Sequence, residues 1–325
     1  MQSRHIGTQG LSVASIGLGC MGMTHAYGTR DDAESIATIH KALDAGVTLL
    51  DTAEVYGPYT NEELVGQAIR GRRAQVIVAT KFGLTLSSGG VATVDGTPTN
   101  AKRAVEGSLK RLGVDVIDLY YLHRKDPNVP IEESVGGMKD LVDAGKVRFL
   151  GLSEVSAETL HQAHTIHPIS AVQSEYSLWE RGIEDAVLPA MRELGVGLVP
   201  FSPLGRGFLT GALEGTDQLP ASDFRRTLPR FTDQHLAANA RIVDAVKAVA
   251  AHHQATPAQI ALAWVLAQGQ DVVPIPGTKR RKYLDENLGA ADIKLSTDDL
   301  ASLNRLAAMV SGERYPAHAA KLAER

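Results

Sequence analysis

Residues 31–51 read DDAESIATIHKALDAGVTLLD, and they hold one complete helix-to-strand unit. Ile36, Ile39 and Leu43 recur at helical spacing and place an apolar stripe on one face. Asp31 or Asp32 is positioned to cap the helix start. Ala45-Gly46-Val47 ends the helix, with Gly46 in the position that favours a left-handed backbone. The apolar run Val47–Asp51 then reads as a buried strand that finishes on a carboxylate.

Outward from this stretch the same unit recurs along the chain. Strands are expected at Ala14–Gly19, Val47–Asp51, Val76–Thr80, Val116–Leu122, Val147–Leu152, Ala171–Gln173, Gly197–Pro200 and Val272–Ile275. Helical patterns lie between them, such as Val105, Leu109 and Leu112, and Leu194-Gly195-Val196 repeats the helix-end signal. Strict alternation implies parallel strands, and eight units imply an α/β fold closed as a (β/α)8 TIM barrel. The segment Ile6–Val13 fits an N-terminal hairpin plugging the barrel bottom. Gly211–Asp233 lacks periodicity and reads as a long loop after strand 7, a candidate substrate lid, followed by an extra helix to about His253. Thr256-Pro257 opens the helix Ala258–Gln268, and a C-terminal helix is expected near Asp298–Met309.

A chain of 325 residues suits one such barrel with insertions, so residues 1–325 read as a single domain. Hydrophobic residues at 44% and charged residues at 22% describe an ordinary globular protein. A net charge of −4 argues against a nucleic-acid partner. Cys20 is the only cysteine, which excludes an intrachain disulfide and a cysteine metal cluster. The opening MQSRHIGTQG has no apolar run and no stretch reaches a membrane-spanning length, so no membrane partner and a cytoplasmic location are expected.

Gly17-Leu18-Gly19-Cys20-Met21-Gly22 matches the dinucleotide pattern G-x-G-x-x-G after a strand. That motif requires a helix to open at once, whereas here the helix starts only near Asp31. A tight glycine turn that lets backbone approach a ligand is the better reading. His161, His164 and His167 lie in or beyond a helix with no carboxylate at ligand spacing, and read as a solvated face. Tyr176 and Trp179 follow the sixth strand and either line a pocket or pack the loop.

Function in such a barrel sits at the C-terminal ends of the strands. Asp51, Lys81 and His123 end three consecutive strands, and Tyr56 follows in the loop after Asp51. Singly, each has a structural explanation; together they form a set suited to carbonyl reduction. A hydride reaching a carbonyl carbon leaves an alkoxide that needs a proton, and tyrosine gives one up only if its phenolate is stabilised. A lysine beside it does so, a carboxylate behind keeps the lysine charged, and a histidine orients the carbonyl oxygen.

With these residues in place, the chain resembles the aldo-keto reductase family, within it the microbial and plant branch of broad aldehyde and ketone reductases. The match runs through Asp51–Gly57, Thr80-Lys81, Tyr121-Leu122-His123, Gly151-Leu152-Ser153, Gln173, Phe201–Gly207 and Ile275–Lys279, nearly the whole chain. The resemblance implies NADPH-dependent reduction of a small carbonyl substrate by an Asp51-Tyr56-Lys81-His123 tetrad, with no metal. It places the nicotinamide carboxamide on Ser153, Glu154 and Gln173, although much of the family has Asn at the Glu154 position. Phe201 would stack on the nicotinamide; Ser202, Leu204, Gly205 and Arg206 would follow the pyrophosphate; Glu286 and Asn287 would face the adenine. Gly22, Met23, Gly277, Thr278 and Tyr283 complete the implied cofactor contacts.

The preference for NADP also has a physical basis. Lys279-Arg280-Arg281-Lys282 follows the eighth strand at a helix start, where four cations suit a 2′-phosphate held by Lys279 and Arg280. A plain basic helix start is the alternative, but cations there oppose the helix dipole. Two rival functions remain. A metal-dependent barrel hydrolase would need His-x-His or clustered carboxylates at a strand end, which are lacking. Some family relatives are NADP-holding regulatory subunits of potassium channels, and an intact tetrad is compatible with that role.

Overall fold

The computed structural model describes residues 1–86 and 92–324. Strands β1 (Ser3–Ile6) and β2 (Leu11–Ala14) pair antiparallel as the expected hairpin. Strands β3 (Leu18–Gly19), β4 (Leu49–Asp51) and β5 (Ile77–Phe82) open a parallel sheet. A second antiparallel pair, β6 (Leu84–Leu86) and β7 (Ala92–Val94), leaves it. Strands β8 (Ile117–Leu122), β9 (Val147–Ser153), β10 (Ile169–Glu175) and β11 (Gly197–Phe201) complete a seven-stranded parallel sheet in sequence order.

Helices α1 (Asp32–Asp44), α2 (Thr60–Ile69), α3 (Pro98–Leu112), α4 (Ile131–Asp143), α5 (Ala157–Ile166) and α6 (Val187–Glu193) follow the strands in turn. After β11 come α7 (Asp233–His252), α8 (Pro257–Leu266) and α9 (Arg281–Leu288), then α10 (Thr297–Asn304) and α11 (Ala317–Ala320). Sequence signals for the helix ends hold in detail. Asp31 caps α1 by accepting the Glu34 N–H, and Thr256 forms a reciprocal capping box with Gln259. Each helix from α1 to α5 packs on the next, as do α7 on α8 and α8 on α9, and α9 packs back on α1. No helix among the described residues is long and apolar enough to cross a membrane.

Two of the expected strands differ, for one shared reason. The anticipated first strand, Ala14–Gly19, divides: Ala14 ends the hairpin, and only Leu18–Gly19 joins the barrel. The anticipated eighth, Val272–Ile275, contributes only an isolated bridge at Val272, with a second just beyond it at Gly277. It nevertheless closes the barrel. Val273 and Ile275 donate to Leu198 and Pro200 of β11, at 2.8 and 3.0 Å, while Pro274 and Pro276 accept from Gly17 and Gly19, at 2.9 and 3.4 Å. Proline has no N–H, so Pro274 and Pro276 can return no donor toward the first strand and the ladder there is one-sided. A Cβ on Gly19 would stand 2.9 Å from the Ile275 carbonyl oxygen, so the two strands meet this closely only because residue 19 is glycine.

Strand alternation divides the core in two. Outward residues such as Leu50, Val78, Tyr120, Leu150 and Leu198 pack under the helices. Inward residues Leu49, Ala79, Leu119, Tyr121, Ala171 and Val199 fill the barrel. Ile6, Leu11 and Val13 of the hairpin join that inner cluster and plug it. Full burial of each such aliphatic side chain contributes on the order of 1.5–3 kcal/mol.

The long loop expected over Gly211–Asp233 runs into α7 and carries three short 3-10 turns, and its Phe224 N–H bonds the Ala26 carbonyl of the first loop. Trp179 is buried and stacks on Phe208, so it packs this loop; Tyr176 is buried beside Trp264. The histidines of α5 gather no ligand set, and no metal-binding group of three or more His, Cys, Asp or Glu occurs among the described residues.

Candidate active site

The period of two in a strand builds the site. Leu49, Ala79, Tyr121, Ala171 and Val199 face the barrel interior, so the residues two positions on face the same way, one layer nearer the mouth. Those residues are Asp51, Lys81, His123, Gln173 and Phe201. Gly151 belongs to the lower layer: a Cβ there would stand 2.4 Å from two ring carbons of Tyr121, so its absence gives the ring room.

The four side chains proposed from strand ends meet. Lys81 is fully buried, and its Nζ donates to Asp51 Oδ1 at 2.6 Å and to the Thr52 carbonyl at 2.7 Å. The same ammonium lies 3.5 Å from the Tyr56 hydroxyl. Asp51 Oδ2 accepts from Gln173 Nε2 at 2.8 Å, so both carboxylate oxygens are held. The rings of Tyr56 and His123 meet edge to face, 5.8 Å between centroids. The loop carrying Tyr56 is pinned on both sides. Glu54 N–H bonds the Lys81 carbonyl, Glu54 Oε1 accepts from Gly83 N–H, and Thr52 Oγ1 donates to Asn61 Oδ1 at 2.6 Å.

Burial sets the electrostatics of this layer. It opposes the Lys81 charge, but Asp51 and Tyr56 outweigh it, and the ammonium is held above its ordinary range. Burial pushes the Tyr56 phenol up while Lys81 pulls it back, so the hydroxyl keeps its proton at neutral pH. His123 is held well below its ordinary value by burial, with Arg124 and Lys81 adding to the effect. Its imidazole is therefore neutral, and its Nδ1 is buried without a hydrogen-bond partner among the described residues. Arg124, which the sequence reading passed over, bonds the His123 carbonyl at 2.6 Å and Ser153 Oγ at 3.0 Å. Such a layer can donate a proton from a phenol, stabilise the phenolate formed, and offer a neutral N–H to an oxygen.

The expected cofactor positions divide into those that keep a donor or acceptor in reserve and those whose charged groups are already paired. Ser153 and Gln173 lie side by side in register on β9 and β10, and Phe201 ends β11 at the rim of the inner cluster. Glu154 differs from expectation. Its carboxylate accepts the Glu175 N–H at 2.8 Å and pairs with Arg314, so neither oxygen stands free for a carboxamide. Arg206 is engaged as well. It pairs with Glu175 at 3.0 Å and donates to the hydroxyls of Tyr27 and Tyr315, at 3.2 and 3.1 Å. Ser202 and Gly205, beside Leu204, carry positive φ of 49° and 57° in the tight turn after β11.

At the far end, Lys279 Nζ donates to the carbonyls of Tyr27 and Thr29, at 2.5 and 2.7 Å, and so tethers the first loop. Arg281 pairs with Glu34, which also accepts the Arg281 N–H at the start of α9. Arg280 and Lys282 are exposed, with no side-chain hydrogen bond or ion pair among the described residues. Thr278 Oγ1 accepts the Arg280 N–H, and Gly277 bridges to Gly19. A cavity of ≈ 170 Å³ lies between the first loop and this run, lined in part by Gly22, Met23, Thr24 and Lys279. On α9, Tyr283 is half exposed, Glu286 partly buried and Asn287 buried. Sequence reading found none of Tyr27, Glu175, Arg314 or Tyr315; they meet their partners across separate loops and strand ends, and no local pattern marks them.

This geometry has counterparts in known proteins. The model of the Aldo/keto reductase family matches residues 15–308. A probable aldo-keto reductase 1 from Glycine max is 47% identical over 319 residues, covering 97% of this chain and 92% of that protein. The structure of the glycerol dehydrogenase AKR11B4 from Gluconobacter oxydans superposes with a TM-score of 0.86 at 28% identity, covering 97% of this chain and 98% of that one. The thermostable aldo-keto reductase Tm1743, solved with the inhibitor epalrestat, gives a TM-score of 0.76 at 30% identity over 94% and 100% of the two chains. Seven parallel strands, a closing eighth segment and an encircling ring of helices are thus a TIM barrel of known kind, and the chain belongs to the aldo/keto reductase family of oxidoreductases.

Proposed function

We propose that this chain reduces aldehydes or ketones to alcohols, with NADPH as hydride donor and Tyr56 as general acid. The carrying observation is the line from buried Asp51 and Lys81 to part-buried Tyr56, with Lys81 Nζ 2.6 Å from the carboxylate and 3.5 Å from the phenol. Bound at the mouth, the reduced nicotinamide would supply the hydride. Tyr56 gives its proton to the alkoxide oxygen, and the Lys81 ammonium stabilises the phenolate that remains. Asp51, fixed by Gln173, keeps Lys81 charged and in place. Neutral His123 offers a ring N–H to the same oxygen and orients the substrate.

The residues present fit the cofactor. Ser153 keeps a hydroxyl proton to donate, and Gln173 keeps its amide oxygen to accept, so these two hold the carboxamide without Glu154. Phe201 offers its ring as the stacking face. Arg280, whose side chain makes no hydrogen bond or ion pair among the described residues, suits the 2′-phosphate better than the tethered Lys279.

The test is turnover. Wild type should consume NADPH in the presence of an aldehyde, followed by the absorbance of the reduced nicotinamide. Tyr56→Phe should lose roughly 10²–10⁴-fold in rate while binding NADPH as tightly, because only the proton donor is removed. Near-normal turnover by that variant would refute the assignment.

A further inference from the structure

The barrel mouth carries a second buried set of charges beside the Asp51–Lys81 pair. Glu154 follows β9, Glu175 ends β10 and Arg206 follows β11, so three successive strand ends supply two carboxylates and one guanidinium. The fourth member, Arg314, comes from the C-terminal segment, 160 residues from Glu154. It pairs with Glu154, and its buried Nε stands 3.8 Å from Glu175 Oε2 without a hydrogen bond. None of the four side chains is more than 6% exposed. The Tyr315 ring lies 4.5 Å from the Arg314 guanidinium and 5.6 Å from that of Arg206, so one aromatic contacts both cations. Glu324 fastens the same segment, donating its N–H to the Glu154 carbonyl and pairing with Lys125.

The charge count decides what Arg314 does. With it, two guanidiniums balance two carboxylates. Without it, Arg206 still pairs with Glu175, and Glu154 is left as a buried negative charge with no cationic partner among the described residues. Glu154 is adjacent in sequence to Ser153, and Arg206 lies in the turn expected to follow the pyrophosphate. A dinucleotide brings phosphate charges to that place, and a bare carboxylate would repel them.

We propose that Arg314 is a positioning residue for the cofactor: it holds the Glu154 carboxylate out of the nicotinamide position and cancels its charge. The proposal rests on reading this mouth as a nicotinamide-dinucleotide site. It makes the C-terminal segment a working wall of that site.

The test is a charge cycle read by fluorescence titration of NADPH, with thermal unfolding in parallel. Arg314→Met should weaken NADPH binding by about tenfold or more, because the unpaired carboxylate now faces the ligand. Adding Glu154→Gln should restore affinity to within about threefold of wild type, since the excess charge is gone. A purely structural role predicts no such rescue, because the double variant lacks the Arg314 packing against Tyr315 just as the single one does. Wild-type affinity in Arg314→Met, or a double variant as weak as the single, overturns the proposal. If Arg314→Met does not fold, Glu154→Gln alone decides: the surplus cation should tighten NADPH by about threefold and steepen its salt dependence. Unchanged or weaker binding there overturns it too. Wild type binding neither NADPH nor NADH would instead overturn the dinucleotide reading itself.

Discussion

Replacing Arg280 by alanine and, separately, Lys279 by alanine separates two roles that the basic run could conflate. The Arg280 side chain is exposed and makes no hydrogen bond or ion pair among the described residues, so its removal breaks no direct contact there. A charge-assisted hydrogen bond to a 2′-phosphate contributes about 1.5–3 kcal/mol, and solvent screening at an exposed site favours the lower end. At about 1.4 kcal/mol per decade, Arg280→Ala should weaken NADPH roughly tenfold. NADH lacks that phosphate and should bind as before. Lys279 is different: its ammonium holds the carbonyls of Tyr27 and Thr29. Losing two charge-assisted bonds frees the first loop, which borders the cavity that both cofactors would enter. Lys279→Ala should therefore weaken NADPH and NADH by a similar factor, leaving their ratio near that of wild type. Fluorescence titration of both cofactors at two salt concentrations reads each ratio directly. A selective loss of NADPH in Lys279→Ala, with Arg280→Ala affecting both equally, would refute the reasoning.

Two further outcomes follow from the site's interior. His123 is buried and held well below its ordinary pKa, so between that value and about 6.5 the unfolded chain binds the proton and the native chain does not. Stability is then fully present above about pH 6.5 and is lost as pH falls, by at most about 1.4 kcal/mol per unit. His123→Asn should flatten the fall in urea midpoint between about pH 7 and pH 5; an identical slope in the variant contradicts the assignment. Gly151→Ala would set a Cβ 2.4 Å from the Tyr121 ring. It should cost about 1–3 kcal/mol by overpacking and lower kcat by shifting the ring beneath His123; an unchanged Tm and kcat would show that the barrel yields there freely.

Much of this site was legible because strand geometry is local. Once Leu49 and Ala79 are assigned to the barrel interior, the period of two obliges Asp51 and Lys81 to join them, and no long-range information is needed. Tyr56 follows from its short distance in sequence to Asp51. Glu154, Arg206 and Lys279 were legible only as positions. Several of their partners (Arg314, Tyr315, and the carbonyls of Tyr27 and Thr29) lie over a hundred residues away, and an ion pair across a barrel mouth has no periodic signature. The closing strand was legible as an apolar run, but its irregular hydrogen bonding follows from Pro274 and Pro276 meeting a first strand shortened to two residues.

That closure gives the barrel an uneven circumference. Elsewhere neighbouring strands share amide donors from both sides, whereas between Leu18–Gly19 and residues 271–277 the amides of Gly17 and Gly19 do the joining. The remaining stitches are side chains: Arg281 to Glu34 and Lys41 to Asp285 join α9 to α1, and Lys279 grips the first loop. Exposed ion pairs are individually weak and fade with ionic strength, while backbone ladders do not. The hoop therefore has one seam whose strength depends on the salt around it. The run from Gly22 and Met23 across to Lys279 lies over that seam, so a ligand held by both sides would act as a further stitch at the point where the ring is thinnest.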